Sequence, residues 1–239
     1  MIKEAMEFIL KQAKETKFFE QHGETFTNDN LVKLESPTRG SLEVQSLTGL
    51  VDFIKGDFDS DDKLLIRIVD ETHVIVSTKL NENKKRETVL NVMADVPEKT
   101  LDRYMDLEKF NIQLQAQFVP NDDSTNVLSI IGNLRNENVK NFGDDGITQM
   151  VEVKRGVTVA DKEVVPNPVH LKPYRTFTEI AQPESPFVFR LRQERDEVQA
   201  ALFEADGGAW RNEARISIKE YLAEALSAEV GAGEVLIIG

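Results

Sequence analysis

The chain has no cysteine and only three histidines among its 239 residues. The first absence excludes disulfides, thiolate zinc sites and cysteine nucleophiles, and the second excludes most histidine-rich metal centres. Basic residues are in deficit as well: 29 Lys and Arg stand against 42 Asp and Glu, a formal charge of −13. A general nucleic-acid coat needs the opposite balance, because phosphate binding draws on a surplus of Lys and Arg. No apolar run approaches the roughly 20 residues that a membrane span requires. The opening stretch, MIKEAMEFILKQAKETK, interleaves charged and apolar residues where a signal peptide carries an unbroken apolar run. The expectation is a cytoplasmic protein with no membrane partner.

What is present belongs to an ordinary globular protein: 40% hydrophobic and 30% charged residues, enough chain to bury a sizeable core. The acid excess is spread evenly, −6 over residues 1–120 and −7 over residues 121–239, so it forms no acidic tail. A single domain over residues 1–239 is expected, with a division into subdomains 1–138 and 139–239 as the alternative.

Helical periodicity opens the chain. Ile2, Met6, Ile9, Leu10 and Ala13 fall on one stripe of an amphipathic helix that ends by Gly23. Leu31 to Leu34 reads as a short strand. Ser46 has the chemistry of an N-cap for a helix carrying Leu47, Leu50, Val51 and Ile54, stopped by Gly56. The pattern then changes to β-branched runs at 63–69, 72–80 and 86–94, joined by links too short for anything but an antiparallel meander. Residues 103–118 fit both periods, with length favouring a helix. Val127, Ile130, Ile131 and Leu134 make a clean helical stripe. Strand-like runs return after Asn141. Five of the eight prolines lie between Val164 and Pro186, which predicts an extended connector or edge segment there. Phe187, Phe189 and Leu191 share one face of a strand and Arg190 and Arg192 the other. The last helix begins near Trp210. Strands segregate from helices, so the fold class is α+β: a mainly antiparallel sheet, meander plus C-terminal strands, packed with about five helices.

Chemical motifs are sparse. Asp57 to Asp62 starts like a calcium loop, but Asp62 stands where a glycine must turn and Ile68 where a bidentate Glu belongs. No metal site is therefore assigned. Gly231-Ala232-Gly233 completes neither a dinucleotide fingerprint nor a P-loop. No pair among His22, His73 and His170 has ligand spacing, and no nucleophile motif occurs. No catalytic residue and no cofactor are assigned. Two features remain. Arg190 and Arg192 project from one strand face, with Arg175 upstream and Trp210-Arg211 at a helix start. Clustered arginine with aromatics holds phosphate or carboxylate, or forms a protein hot spot; its structural counterpart is pairing with the plentiful acids. Asp206-Gly207-Gly208 joins a strand to the last helix, where freed N–H groups could face an anion or simply make a tight turn. The candidate binding residues are thus Arg175, Arg190, Arg192, Gly207, Gly208, Trp210 and Arg211.

The C-terminal half, VPNPVHLKPYRTFTEIAQPESPFVFRLR followed by ALFEADGGAWRNEA, resembles the YfdQ-like family of bacteriophage and prophage proteins of unknown function. Pro166-Asn167-Pro168, Pro173 to Phe177, Gln182-Pro183, Phe187 to Arg190 and Leu202 to Trp210 carry the likeness, which spans about residues 105–226. It implies a phage-encoded protein of the infected bacterial cytoplasm, and it brings no reaction and no catalytic residue. The leading expectation is a non-enzymatic accessory protein that self-associates and binds a host or phage protein, blunting a host defence being one form of such binding. Two alternatives stay open: an accessory of phage DNA metabolism or an acidic DNA mimic, and a small-molecule or nucleotide binder built on the arginines and the Gly207-Gly208 turn.

Overall fold

The computed structural model describes residues 2–13, 16–21, 24–27, 38–59, 63–81, 84–136, 138–144, 149–155, 158–195 and 197–239. The chain forms two compact units, Met1–Thr38 and Arg39–Gly239. In the first, the expected helix is present as α1, Ile2–Ala13. It stops well before Gly23, and the hairpin β1 (Phe18–Gln21) and β2 (Glu24–Thr27) follows. The strand expected over 31–34 lies outside the described residues.

The second unit carries two five-stranded sheets. It opens with β3 (Leu42–Val44) and α2 (Leu47–Gly56). Ser46 caps α2 as its chemistry demands: the side-chain oxygen accepts from Gly49 N at 3.1 Å. The predicted meander follows as β4 (Leu64–Ile68), β5 (His73–Thr78) and β6 (Thr88–Met93). Next come β7 (Met105–Asp106), α3 (Leu107–Gln117), β8 (Phe118–Val119) and α4 (Asp122–Asn136). Length decided the ambiguous 103–118 stretch, and its helical stripe, Leu107, Phe110 and Leu114, is buried. Then come β9 (Asn138–Asp144), β10 (Gln149–Arg155) and β11 (Thr158–Val165), a small antiparallel sheet of their own. The chain ends with β12 (Val169–Pro173), β13 (Ser185–Glu194), β14 (Glu197–Glu204), α5 (Ala209–Ala225), α6 (Ser227–Gly231) and β15 (Val235–Ile238).

The meander lies inside a sheet of order β15-β4-β5-β6-β3, and the second sheet has the order β7-β14-β13-β12-β8. The class is α+β and mainly antiparallel. Two pairings at the margins of the meander sheet differ from that rule: β15 runs parallel to β4, and β3 parallel to β6. The local links are indeed too short for a parallel pair, but these partners meet through connections of dozens of residues. A second difference concerns the proline-rich stretch, where β12 sits between β13 and β8 instead of at an edge. It tolerates that place because Pro168 precedes the strand and Pro173 is its last residue; the cost falls on β13, where Pro186 accepts from Ala205 N at 3.0 Å but has no N–H to return.

Two cores result, and each draws on both sides of Asn138. One packs Leu47 and Leu50 of α2, the inner faces of the meander, and Ile218 and Leu222 of α5. The other packs Phe110, Leu114, Val127 and Ile131 of α3 and α4 against Phe187, Phe189, Leu191 and Leu202. The second core is built from a segment inserted between β6 and α5. Phe177 and Ile180, on the β12–β13 connection, leave the insertion to bury themselves in the first core.

Candidate functional site

Two of the four arginines meet at the start of α5. The end of β14 delivers Glu204 to this point and the turn after it Asp206, the β12–β13 connection delivers Arg175, and the first turn of α5 delivers Trp210 and Arg211. Arg175 is 4% exposed. Its Nη1 donates to Glu204 Oε1 at 3.1 Å, and its Nη2 to Pro183 O at 3.0 Å and to Ser185 Oγ. Its guanidinium carbon lies 4.0 Å from the centre of the Trp210 ring, and that of Arg211 lies 5.2 Å from it. Arg211 and Arg215 in turn donate to the two carboxylate oxygens of Glu71, at 3.1 and 3.3 Å. Glu71 stands in the β4–β5 turn, where its backbone carbonyl also accepts from Thr176 Oγ1. The cluster therefore ties the meander, the inserted segment and the last helix to one another.

Gly207 and Gly208 do provide the left-handed turn that their sequence suggested, at φ +64° and +83°. The anion facing that turn is the protein's own. Asp206 Oδ1 accepts from Gly208 N at 2.8 Å and Asp206 Oδ2 from Trp210 N at 3.3 Å, while Ser185 Oγ donates to Oδ2 at 2.6 Å. A carboxylate two residues upstream thus takes the place an external phosphate would need.

Charge and burial set the titration of this cluster. Burial lowers the pKa of the Arg175 guanidinium from its usual value, and Glu204 and Asp206 work against that by favouring the charge. Lys99 donates to Tyr174 O at 2.6 Å; burial and then the Arg175 charge lower its pKa, with Glu204 opposing. For Asp206, burial pushes upward, but the Ser185 hydroxyl, the Gly208 and Trp210 N–H groups and Arg175 outweigh it and hold the carboxyl below its ordinary range.

Arg190 and Arg192 are not part of this cluster. They leave β13 five and seven residues beyond Ser185, roughly 17 and 23 Å along the strand, on the face opposite Leu191. Arg192 stacks on Tyr104 at 4.1 Å and donates to Glu194 and Gln199 at 2.8 Å. Arg175, Gly207, Gly208, Trp210 and Arg211 are thus brought together, and Arg190 and Arg192 stand apart from them.

Sequence reasoning missed Glu71, Ser185, Glu204 and Lys99. Glu71 carries no signal, since its role comes from a tertiary contact 140 residues away. Asp206 was legible as part of the Asp206-Gly207-Gly208 turn, two residues before the Gly208 N-cap of α5, but not as the anion that fills it. His73 is a hydrogen-bonded sheet histidine, with Nε2 2.5 Å from Asn91 Oδ1. His170 has Nδ1 3.7 Å from Asp123 Oδ2, and His22 lies outside the described residues. Among the described residues no group of three or more His, Asp or Glu side chains is placed to hold a metal ion. No helix among them is long and apolar enough to cross a membrane. No protein-family model, curated protein or solved structure matches the chain.

Proposed function

We propose that this chain is a non-enzymatic accessory protein, phage-encoded as the resemblance of its C-terminal half implies, that self-associates and acts by binding a host or phage protein. One observation carries the reading. Every side chain of α1 from Ile2 to Lys11 is exposed, including Ile2, Met6, Phe8, Ile9 and Leu10, and Phe18, Phe19 and Phe26 of the adjoining hairpin are exposed too. Large apolar side chains gathered in one short unit mark an interaction surface. A helix of 12 residues is also marginal on its own in water, and an amphipathic one gains its stability when its stripe is covered. The arginine cluster supports the same reading from the other side, since its charges are spent on the protein's own carboxylates.

The test is quantitative capture from bacterial lysate, with and without phage infection, by the wild type and by a Met6→Glu/Ile9→Glu variant. The expected result is a defined partner retained by the wild type and lost by the variant at unchanged helix content of the second unit. A wild type that retains no partner, or a variant that binds as well, overturns the proposal.

A further inference from the structure

The outer edge of the meander sheet is an apolar strand with unpaired backbone groups. Strand β15 ends that sheet, and among the described residues no strand lies beyond it. Natural edges are blunted by charge, proline or a bulge. Val235-Leu236-Ile237-Ile238 has none of these. Leu236 and Ile238, 61% and 41% exposed, stand on the sheet face opposite the helices.

The hydrogen-bond phase of β15 follows from its inner neighbour. Leu64 N donates to Glu234 O at 2.8 Å, and the parallel register sets Leu236 beside Leu65. Glu234, Leu236 and Ile238 therefore direct their backbone groups inward to β4, and Val235 and Ile237 direct theirs outward. We infer that a second copy of this chain pairs its own β15 antiparallel to this edge, about a two-fold axis at Ile237, so that the meander sheet runs continuously through both copies.

Two observations select that register. With Ile237 opposite Ile237, each donates its outward N–H to the other's carbonyl, which is the hydrogen-bonded pair of an antiparallel ladder. Leu236 then faces Ile238 of the other copy, twice over, and four exposed apolar side chains cover one another. Moving the axis to Leu236 would instead set Glu234 against Ile238.

This inference gives a surface to the self-association in the function proposed above, but it uses none of the residues of the N-terminal unit. The Met6→Glu/Ile9→Glu protein should still self-associate through β15, so either idea can fail alone. The chain has no cysteine, which makes single-cysteine crosslinking unambiguous. Hydrogen-bonded partners across an antiparallel pair stand about 5.5 Å apart at Cα, within disulfide range. Under mild oxidation Ile237→Cys should crosslink at least tenfold more than Leu236→Cys. Light scattering should give a dimer for the wild type and a monomer for Leu236→Lys/Ile238→Lys, which sets like charges opposite one another. Leu236→Lys/Ile238→Glu, which sets Lys against Glu, should restore the dimer. Both altered positions are exposed, and circular dichroism checks that the fold is kept. A wild type that is monomeric at all concentrations, a Lys/Lys variant that remains dimeric, or preferential crosslinking at Leu236→Cys overturns the inference. A variant that fails to fold leaves the cysteine comparison to decide.

Discussion

Arg175 shows what a single residue can hold together. Its guanidinium is buried, paired with Glu204, bonded to Pro183 O and Ser185 Oγ, and stacked on Trp210. Removing one partner of a buried pair strands the others, at about 3–5 kcal/mol. Arg175→Met should therefore lower the free energy of urea unfolding by about that much. Arg192→Met should cost no more than about 1 kcal/mol, because its pairs with Glu194 and Gln199 are exposed to solvent. Equal losses for the two variants would show that the buried cluster has no special weight. Asp206 makes a pH-dependent contribution of known sign. Its folded pKa lies below the unfolded value of about 3.9, so as pH falls the unfolded chain takes up the proton first. The stability it supplies is complete above the unfolded value and is lost as pH drops through the folded one. Urea midpoints measured between about pH 6 and pH 3 should fall less steeply for Asp206→Asn than for the wild type. Parallel curves would contradict the assignment.

At the scale of elements, the turn into α5 separates two costs that usually come together. Both glycines have positive φ, but a Cβ on Gly207 would meet nothing within 4 Å, whereas one on Gly208 would come within 2.9 Å of Arg211 Nη1. Gly207→Ala should thus cost only the left-handed strain, about 1 kcal/mol. Gly208→Ala should cost a few tenths of a kcal/mol more, because the exposed end of Arg211 must also shift beside Trp210 and Glu71. Removing Arg211 first should erase the difference, so a double-mutant cycle in unfolding free energy should show coupling for Gly208 and none for Gly207. Coupling at both positions, or at neither, would be inconsistent with this geometry. The same elements show what a sequence can disclose. The Ser46 cap, the meander, the stripe of α4 and the alternation of Phe187, Phe189 and Leu191 were legible because each is written in local spacing. The long-range pairings were not. Nothing near Leu42 or Val235 announces a parallel neighbour, and Gln149 gives no hint that its carboxamide bonds both backbone groups of Leu191 at 2.9 and 3.0 Å. The site was half legible for the same reason. Arginine and aromatic chemistry is visible in the sequence, while the acids that neutralise it arrive from distant strands.

On the scale of the whole second unit, the nested connection of its two cores has a thermodynamic consequence. The first core cannot close until α5 and β15 return from beyond the insertion, and β15 must find β4 across more than 160 residues. Phe177 and Ile180 bind the two cores more directly, since they belong to the inserted segment yet are buried with α2 and the meander. The only tryptophan in the chain, Trp210, lies in the arginine cluster that ties the meander, the inserted segment and α5 together, 7% exposed and stacked against Arg175. Its fluorescence therefore reports on the junction, and far-UV circular dichroism reports on both cores. If the cores unfold as one cooperative system, the two signals should share a single urea midpoint. Phe177→Ala should then shift both midpoints together, with a loss of about 3–5 kcal/mol typical of a buried phenylalanine. Phe189→Ala, in the other core, should do the same. If the insertion were an independent domain, Phe189→Ala would split the transition. An early change in circular dichroism would then precede the loss of the tryptophan signal, and that separation would overturn the coupling argued from Phe177 and Arg175.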